Sequence, residues 1–228
     1  MKYLNKNNTI IIFSLIIIIT SVFIFLGISN FKTQYSKLSK EILFKEAKAH
    51  YNNMVNTRFW NASHGGVYVY QTNGLQPNPY LENNHIYSNE GKLLIKINPA
   101  WMTKQISNIS NKNSKYFYKI TSLKPINPSN KADSFEKEAL EFFEKNKQEK
   151  FYSKFENNRF NFMGSLITKK SCLQCHEKQG YKLGDIRGGL RISVPIDAYK
   201  KNIDLIENNQ VIILAGETGS GRRQTSHS

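Results

Sequence analysis

The chain has 228 residues, 39% hydrophobic and 12% aromatic, which is enough for one core of ordinary domain size plus an appendage. This composition excludes a disordered chain. The 32 basic and 17 acidic residues give a net charge of +15, but the lysines are scattered among Asn and Ser without a nucleic-acid motif. We therefore expect no nucleic-acid partner and a basic surface that faces anionic groups, such as lipid headgroups.

The first segment is an uncharged apolar run from Thr9 to Gly27. As a helix it would span roughly 29 Å, close to the hydrocarbon thickness of a bilayer. A signal peptide is the alternative, but its apolar region is usually shorter, and Gly27-Ile28-Ser29 is a poor cleavage site. We interpret residues 1–30 as a transmembrane anchor, or as an uncleaved signal. Lysines on both sides of the run do not decide its orientation.

Residues 31–206 are predicted to form one domain that begins with a long helix. Phe31–Trp60 has no proline or glycine and repeats apolar residues at helical spacing, and Gly65-Gly66 then ends the helix. The remaining pattern alternates short strands and helices. Strands are predicted at Val67–Tyr70, Leu93–Ile97, Tyr116–Leu123, Phe160–Thr168 and Leu190–Val194, and helices at Ala100–Ile109, Asp133–Lys147 and Ala198–Asn208.

This order of elements predicts an α+β fold, in which an antiparallel sheet has helices on one side or at its ends. Residues 207–228 are predicted to be a disordered tail. One interpretation of this tail is a cloning or frameshift remnant. Gly216–Gly221 is similar to the glycines of a phosphate-binding loop, but Arg222-Arg223 stands where such a loop needs Lys and a hydroxyl residue. We therefore predict no nucleotide binding.

The only two cysteines lie in the segment Cys172-Leu173-Gln174-Cys175-His176. A Cys-x-x-Cys-His motif is typical of c-type haem attachment, because the two thiols can form thioethers with the haem vinyl groups while the histidine binds the iron. A structural zinc site needs four ligands, and this segment supplies at most three. A thioredoxin-like thiol pair needs a βαβ setting that the sequence lacks. We therefore predict one covalently attached haem c on Cys172, Cys175 and His176.

Haem c is attached on the exported side of the membrane. The motif therefore predicts a cytoplasmic N-terminus and a domain that faces the periplasm from a bacterial inner membrane.

Several further segments resemble the periplasmic haem-c, PAS-like sensor family, whose members often precede transmembrane histidine kinases, chemoreceptors or cyclases. These segments cover most of residues 40–206 in order: 58–69 (RFWNASHGGVYV), 98–100 (NPA), 121–128 (TSLKPINP), 138–140 (EAL), 172–176 (CLQCH) and 184–189 (GDIRGG). The resemblance implies a PAS-like sheet flanked by helices, with haem in a pocket and Cys-x-x-Cys-His as its attachment site.

The ligand on the second face of the iron stays open between several residues. His64 is a candidate by residue type beside Gly65-Gly66, and Met54 and His50 lie one turn apart on one face of the long helix. The fourth alternative is a coordination position without a protein ligand. Arg58, Arg187 and Arg191 are candidate partners of the haem propionates, because a guanidinium matches a carboxylate in two hydrogen bonds.

These features predict a membrane-anchored sensor domain that responds to iron redox state or to a small gas and signals through a partner protein. The long helix would carry the change toward the membrane and would also suit a homodimer. An electron-transfer cytochrome with one haem is the alternative function. We expect no enzyme, because no acid–base pair is identified beside the iron.

Overall fold

The computed structural model describes residues 6–197 and Tyr199, with Lys6, Gln174 and Cys175 described by their backbone alone. The predicted helix Ala198–Asn208 and the tail 207–228 lie outside the described residues. The described residues form four α-helices and seven β-strands. The helices are α1 (Lys6–Ser63), α2 (Pro99–Asn113), α3 (Ser134–Lys145) and α4 (Lys170–His176), and the strands are β1 (Val67–Tyr70), β2 (His85–Tyr87), β3 (Leu93–Ile97), β4 (Phe117–Thr121), β5 (Phe151–Glu156), β6 (Arg159–Ile167) and β7 (Ile186–Pro195).

Helix α1 is continuous over its 58 residues, so the apolar segment and the predicted long helix are one element. At 1.5 Å per residue it extends about 87 Å. Its apolar part is long enough to cross a membrane by length and composition, a property that signal sequences near an N-terminus share. After Ser63 the chain turns at Gly65 and Gly66, whose φ angles of 71° and 98° are left-handed. The predicted helix and its end are confirmed.

The strands form two antiparallel sheets, where the sequence predicts one. The smaller sheet has the order β1-β3-β2, and the larger has the order β4-β7-β6-β5. The combination of helices with antiparallel sheets and a long N-terminal apolar helix agrees with the predicted class. Strands β2 and β5 were not predicted. Strand β5 pairs with β6 through a two-residue turn, in which Asn157 and Asn158 both have positive φ, the backbone of a tight hairpin.

The larger sheet is covered on both faces. On one face Leu43, Phe44 and Ala47 of α1 pack against strand residues such as Phe162 and Ile192. On the other face the apolar side of α3 packs against Tyr152 and Met163, with side chains Phe135, Ala139, Leu140 and Phe143. The predicted capping box of α3 is present, because Asp133 accepts a hydrogen bond from the Glu136 backbone N–H and the Glu136 side chain accepts one from Asp133. This sheet is therefore the centre of the domain.

Strand β7 differs from its prediction, which began only after Gly188-Gly189. Both glycines are paired inside the strand, opposite Leu166 and Ser165 of β6. A Cβ on Gly188 would clash with the carbonyl oxygen of Thr121, and one on Gly189 would clash with the side chain of Met163. The glycines therefore permit close packing between neighbouring strands and do not interrupt the strand.

A similar close contact fixes α1 on the sheet. The ring of Tyr51 lies directly on Gly164 of β6, where any Cβ would overlap it. The Tyr51 hydroxyl donates a 2.6 Å hydrogen bond to the carbonyl oxygen of Ser165. Burial raises the pKa of Tyr51 to about 12, against the lowering effect of the Arg58 charge, so the hydroxyl keeps its proton for this bond.

Candidate functional site

The Cys-x-x-Cys-His segment lies on a loop between the two central strands β6 and β7. The base of this loop is closed by two backbone hydrogen bonds, from Thr168 N–H to the Asp185 carbonyl (2.8 Å) and from Gly184 N–H to the Thr168 carbonyl (3.0 Å). Within the loop, α4 carries Cys172 and His176, and a 3₁₀ turn over Glu177–Gln179 follows it. The segment is therefore held close to the sheet at both of its ends.

Cys172 and His176 line one open cleft, which we call the Cys172 cleft. Its volume is about 980 Å³ including its open mouth. Its wall from α1 consists of Val55, Arg58, Phe59 and Ala62, which recur at helical spacing on one side of α1. The remaining lining residues come from α2, α4 and the loops and strands around them, namely Gly65, Leu81, Lys96, Asn98, Pro99, Ala100, Leu166, Ile167, Lys169, Ser171 and Arg187.

A second cleft of about 790 Å³, again including its mouth, adjoins the first. We call it the Trp101 cleft, because the indole of Trp101 lies in its wall. The two clefts share His176 and Arg187, together with Leu81, Asn98, Ala100 and Leu166. The buried Trp101 Nε1 and Arg187 Nε atoms have no hydrogen-bond partner among the described residues. His176 thus lines both clefts, whose walls contain these two buried polar atoms without a described hydrogen-bond partner.

The hydrogen bonds of His176 determine its tautomer. Gln179 Oε1 lies 2.6 Å from His176 Nδ1, and Gln179 Nε2 donates to the carbonyl oxygen of Lys124 at 3.4 Å. Because the amide nitrogen is engaged by a carbonyl, its oxygen faces the imidazole, and Nδ1 must donate the proton. Nε2 then carries the lone pair, which accepts a 3.3 Å hydrogen bond from Arg187 Nη1.

The surroundings of His176 also favour its neutral form. Burial lowers the pKa of His176, and the charges of Arg187 and Arg58 lower it further against the opposing hydrogen bond with Gln179. A neutral imidazole with its lone pair on Nε2 is the form in which histidine binds a metal ion, and binding there would replace the hydrogen bond from Arg187 Nη1.

Two guanidinium groups make the Cys172 cleft electropositive. Arg58 is 6% exposed, and its Nη1 donates to the Pro99 carbonyl at 2.9 Å and to Thr103 Oγ1 at 2.6 Å. Among the described residues that line either cleft, none is Asp or Glu. Burial, and to a smaller extent the charge of Arg187, lower the pKa of Arg58 to about 9, and Cys172 and Tyr51 partly oppose this shift. A bound anion would offset the cost of burying this charge.

The other predicted site residues lie elsewhere in the described structure. His64 is exposed, its Nδ1 lies 2.7 Å from the Trp60 carbonyl oxygen, and it does not line either cleft. Met54 is buried in the core between α1 and the larger sheet. His50 lies outside both clefts, 2.8 Å from the hydroxyl of Tyr118. The structure therefore groups Cys172, His176 and Arg58, and keeps the three candidate sixth ligands apart from them.

The three candidate arginines also separate. Arg187 joins Arg58 in the Cys172 cleft, whereas Arg191 lies on the α3 side of the larger sheet. There Arg191 pairs with Asp133 at 2.7 Å and approaches the fully buried Glu136 at 3.6 Å. Arg191 thus has a structural partner, and Arg58 and Arg187 have no carboxylate within salt-bridge distance among the described residues.

A family model described as Tll0287-like matches residues 29–195. The chain belongs to the Tll0287-like family. The match spans the segments that carry the resemblance in the sequence, and it confirms that resemblance. Among solved structures, the Tll0287-like chain is similar to the cyanobacterial heme-protein Tll0287. The identity is 18%, the TM-score is 0.45, and the similarity covers 68% of this chain and 95% of that chain. No curated protein matches the chain.

Sequence reasoning did not single out Gln179 in this Tll0287-like chain. Gln179 follows His176 by three residues, which is a spacing that permits contact across one turn, but the residue type carries no specific signal. The Lys124 carbonyl that orients Gln179 lies 55 positions away in sequence, so only the fold brings the two together.

We expect Arg191→Met to destabilise the ligand-free Tll0287-like chain and Arg58→Met not to destabilise it. Arg58→Met removes a buried charge without a carboxylate partner, and Thr103 Oγ1 still donates to the Pro99 carbonyl at 2.7 Å. The free energy of unfolding should stay unchanged or rise, by up to about 4 kcal/mol. Arg191→Met leaves the buried Glu136 with less compensation and should lower it by about 3 kcal/mol.

Chemical denaturation of the detergent-solubilised chain measures both values. Equal destabilisation by the two substitutions would show that the charge of Arg58 is already compensated inside the cleft.

Proposed function

We propose that this chain carries one covalently attached c-type haem and acts as the sensor domain of a membrane-anchored signalling protein. The observation that carries the proposal is that Cys172 and His176 line one cleft, beside two guanidinium groups and without an acidic side chain among the described lining residues. In that setting a neutral imidazole, a thiol and a site for anionic groups lie together.

The donor set fits haem c. The motif offers two thiols for thioethers and one histidine for the iron, and the tautomer of His176 leaves Nε2 as the iron-binding atom. The family name supports the cofactor, because Tll0287 is described as a cyanobacterial heme-protein. The side chain of Cys175 lies outside the described part of the structure, so its role follows from the motif alone.

Arg58 and Arg187 are the proposed partners of the two haem propionates. Arg58 is almost fully buried, and Arg187 has an Nε atom without a hydrogen-bond partner among the described residues. Both groups lack the carboxylate that a buried guanidinium needs, and a propionate supplies one. The walls of the Cys172 cleft from α1 are apolar at Val55, Phe59 and Ala62, which suits a macrocycle.

The second iron ligand remains a prediction among His64, Met54 and His50 or an open position. In the described structure none of these three side chains lines the cleft, which favours an open position for a small gas. Bound haem supplies a redox-active iron that can exchange ligands.

Sensing is proposed because α1 joins the cleft to the membrane segment without a break. The same 58-residue helix carries the apolar segment and the cleft residues Val55, Arg58 and Phe59. A change at the cleft that moves these side chains would therefore move the helix that enters the membrane. We further propose a PAS-like domain on the periplasmic side of a bacterial inner membrane, a signalling partner protein, and no enzymatic turnover of its own.

Covalent attachment is tested by the double substitution Cys172→Ala, Cys175→Ala in the exported full chain. We expect the parent to retain a haem spectrum after denaturation and extraction, and the double variant to lose it. Ser171→Ala, which changes a neighbouring residue of the same cleft, should retain the pigment. Haem that stays attached in the double variant, or a parent without pigment, would contradict the proposed cofactor.

The role of Gln179 is tested by the reduction potential of the haem-loaded chain. A hydrogen-bond acceptor on Nδ1 makes the imidazole a stronger donor and stabilises the oxidised iron. Gln179→Glu should therefore lower the midpoint potential, and Gln179→Leu should raise it. Glu177→Gln, which removes a charge in the same exposed turn without altering the His176 hydrogen bond, should have a smaller effect. An unchanged potential in Gln179→Leu would refute this role.

The sensing function is tested by spectra and hydrogen exchange of the oxidised, reduced, and carbon monoxide- or nitric oxide-treated full chain. We expect ligand binding to change exchange in the Val55–Ala62 part of α1 more than in α3, which lines neither cleft. If exchange and iron ligation are the same in every state, sensing fails. A haem that cycles between redox states without binding gas would then indicate the electron-transfer cytochrome.

A further inference from the structure

Helix α1 presents a second apolar face that is separate from its packing face. Five large side chains between the apolar segment and the domain are exposed, in the order Ile28, Phe31, Tyr35, Leu38 and Ile42, with exposed fractions from 41% to 68%. We call this row the α1 seam. Its spacing alternates between three and four residues. The packing residues Leu43, Ala47 and Tyr51 lie on a different side of the helix.

A spacing of three and four residues is the heptad pattern of a coiled coil, in which apolar side chains at two positions of each repeat face a partner helix. The pattern stops after Ile42, where the next two positions of the repeat are Lys45 and Ala49. In the other direction it continues through Ile24, Ser21, Ile17 and Ser14 in the apolar segment. Serine is small and polar, and such residues are favoured where helices approach each other in lipid.

Lipid cannot cover the whole seam. Counted along the helix from Gly27, Tyr35 lies roughly 12 Å and Ile42 roughly 22 Å beyond the apolar segment. The headgroup region on one side of a bilayer is only about 5–8 Å thick. Leu38 and Ile42 therefore lie in water, where exposed leucine and isoleucine side chains favour burial against another protein surface.

We propose that the α1 seam pairs with the same seam of a second copy of this chain, as a parallel two-helix coiled coil directly above the membrane. The membrane anchor favours a second copy of this chain as the partner of the seam. Because the membrane segment and the seam belong to one continuous helix, every inserted copy has the same direction and the same height above the bilayer. Identical positions then meet in register, Tyr35 opposite Tyr35 and Leu38 opposite Leu38.

This pairing does not depend on the proposed haem. It rests on the proposed membrane anchor, and it places two clefts on one membrane-entering helix pair. A movement of α1 at either cleft would change how the two seams pack, which is a two-state element through which a sensor domain can act on its partner.

Cysteine cross-linking in native membranes tests the pairing. Single substitutions Tyr35→Cys and Leu38→Cys lie on the seam, and Lys37→Cys and Lys40→Cys lie beside them on other sides of the same helix. The full chain without an added cysteine gives the background from Cys172 and Cys175. With a copper–phenanthroline oxidant we expect several-fold more disulfide-linked dimer from the seam positions than from the lysine positions.

Equal yields at all four positions, or more dimer at Lys37 and Lys40, would overturn the proposal. The segment after residue 199 is the alternative occupant, and it would protect Leu38→Cys from alkylation without producing a cross-link. That result would also overturn the proposal.

A second measurement uses the mass of the detergent-solubilised chain in sedimentation experiments. Leu38→Glu, Ile42→Glu should convert the dimer to a monomer, because like charges would meet across the seam. The matched variant Lys37→Glu, Lys40→Glu changes exposed Lys37 and half-buried Lys40, which lie off the seam on the same stretch of helix, and should remain a dimer. A parent chain that is already a monomer in membranes and detergent would refute the pairing, whether or not haem is attached.

Discussion

The contact between Tyr51 and Gly164 sets the geometry of the rest of the domain. Because no Cβ separates them, the tyrosine ring lies on the backbone of β6, and its hydroxyl binds the next carbonyl. This contact fixes both the distance and the rotation of α1 on the sheet. With that rotation, Val55, Arg58 and Phe59 face the cleft of Cys172, and the α1 seam faces away from the domain.

The arginines on the two sides of the larger sheet differ in whether they have a carboxylate partner. On the α3 side Arg191 belongs to a network in which Glu136, fully buried, also binds Lys119 at 2.6 Å. That network is electrically matched and needs no ligand. On the cleft side Arg58 and Arg187 line one cleft that has no described acidic residue. Only the second arrangement leaves guanidinium groups without a described carboxylate partner, which is why we propose that side for the haem propionates.

Much of the secondary structure follows from local patterns. Strands β1 and β3 and the capping box of α3 occur at the predicted residues, because turn residues and apolar alternation bound them. The missed elements lack such local signals. Strand β2 has three residues and exists by pairing with β3, and β5 depends on the Asn157-Asn158 turn. The pair Gly188-Gly189 predicts a strand that begins only after it. In the structure both glycines lie inside β7, where neighbouring atoms leave no room for a Cβ.

The sequence by itself determined the chemistry of this protein: the thiols and imidazole of the Cys172–His176 segment, an apolar run of membrane length, and the family to which the chain belongs. These depend on residue types at short spacing, which need no fold to be recognised. Tertiary structure alone decided which distant residues join that segment. In the fold, Arg58 and Arg187 line the Cys172 cleft and Arg191 does not, and Gln179 contacts the carbonyl of Lys124. His64 and Met54 lie outside the cleft. These contacts join segments that are distant in sequence, so they depend on how α1 packs on the sheet.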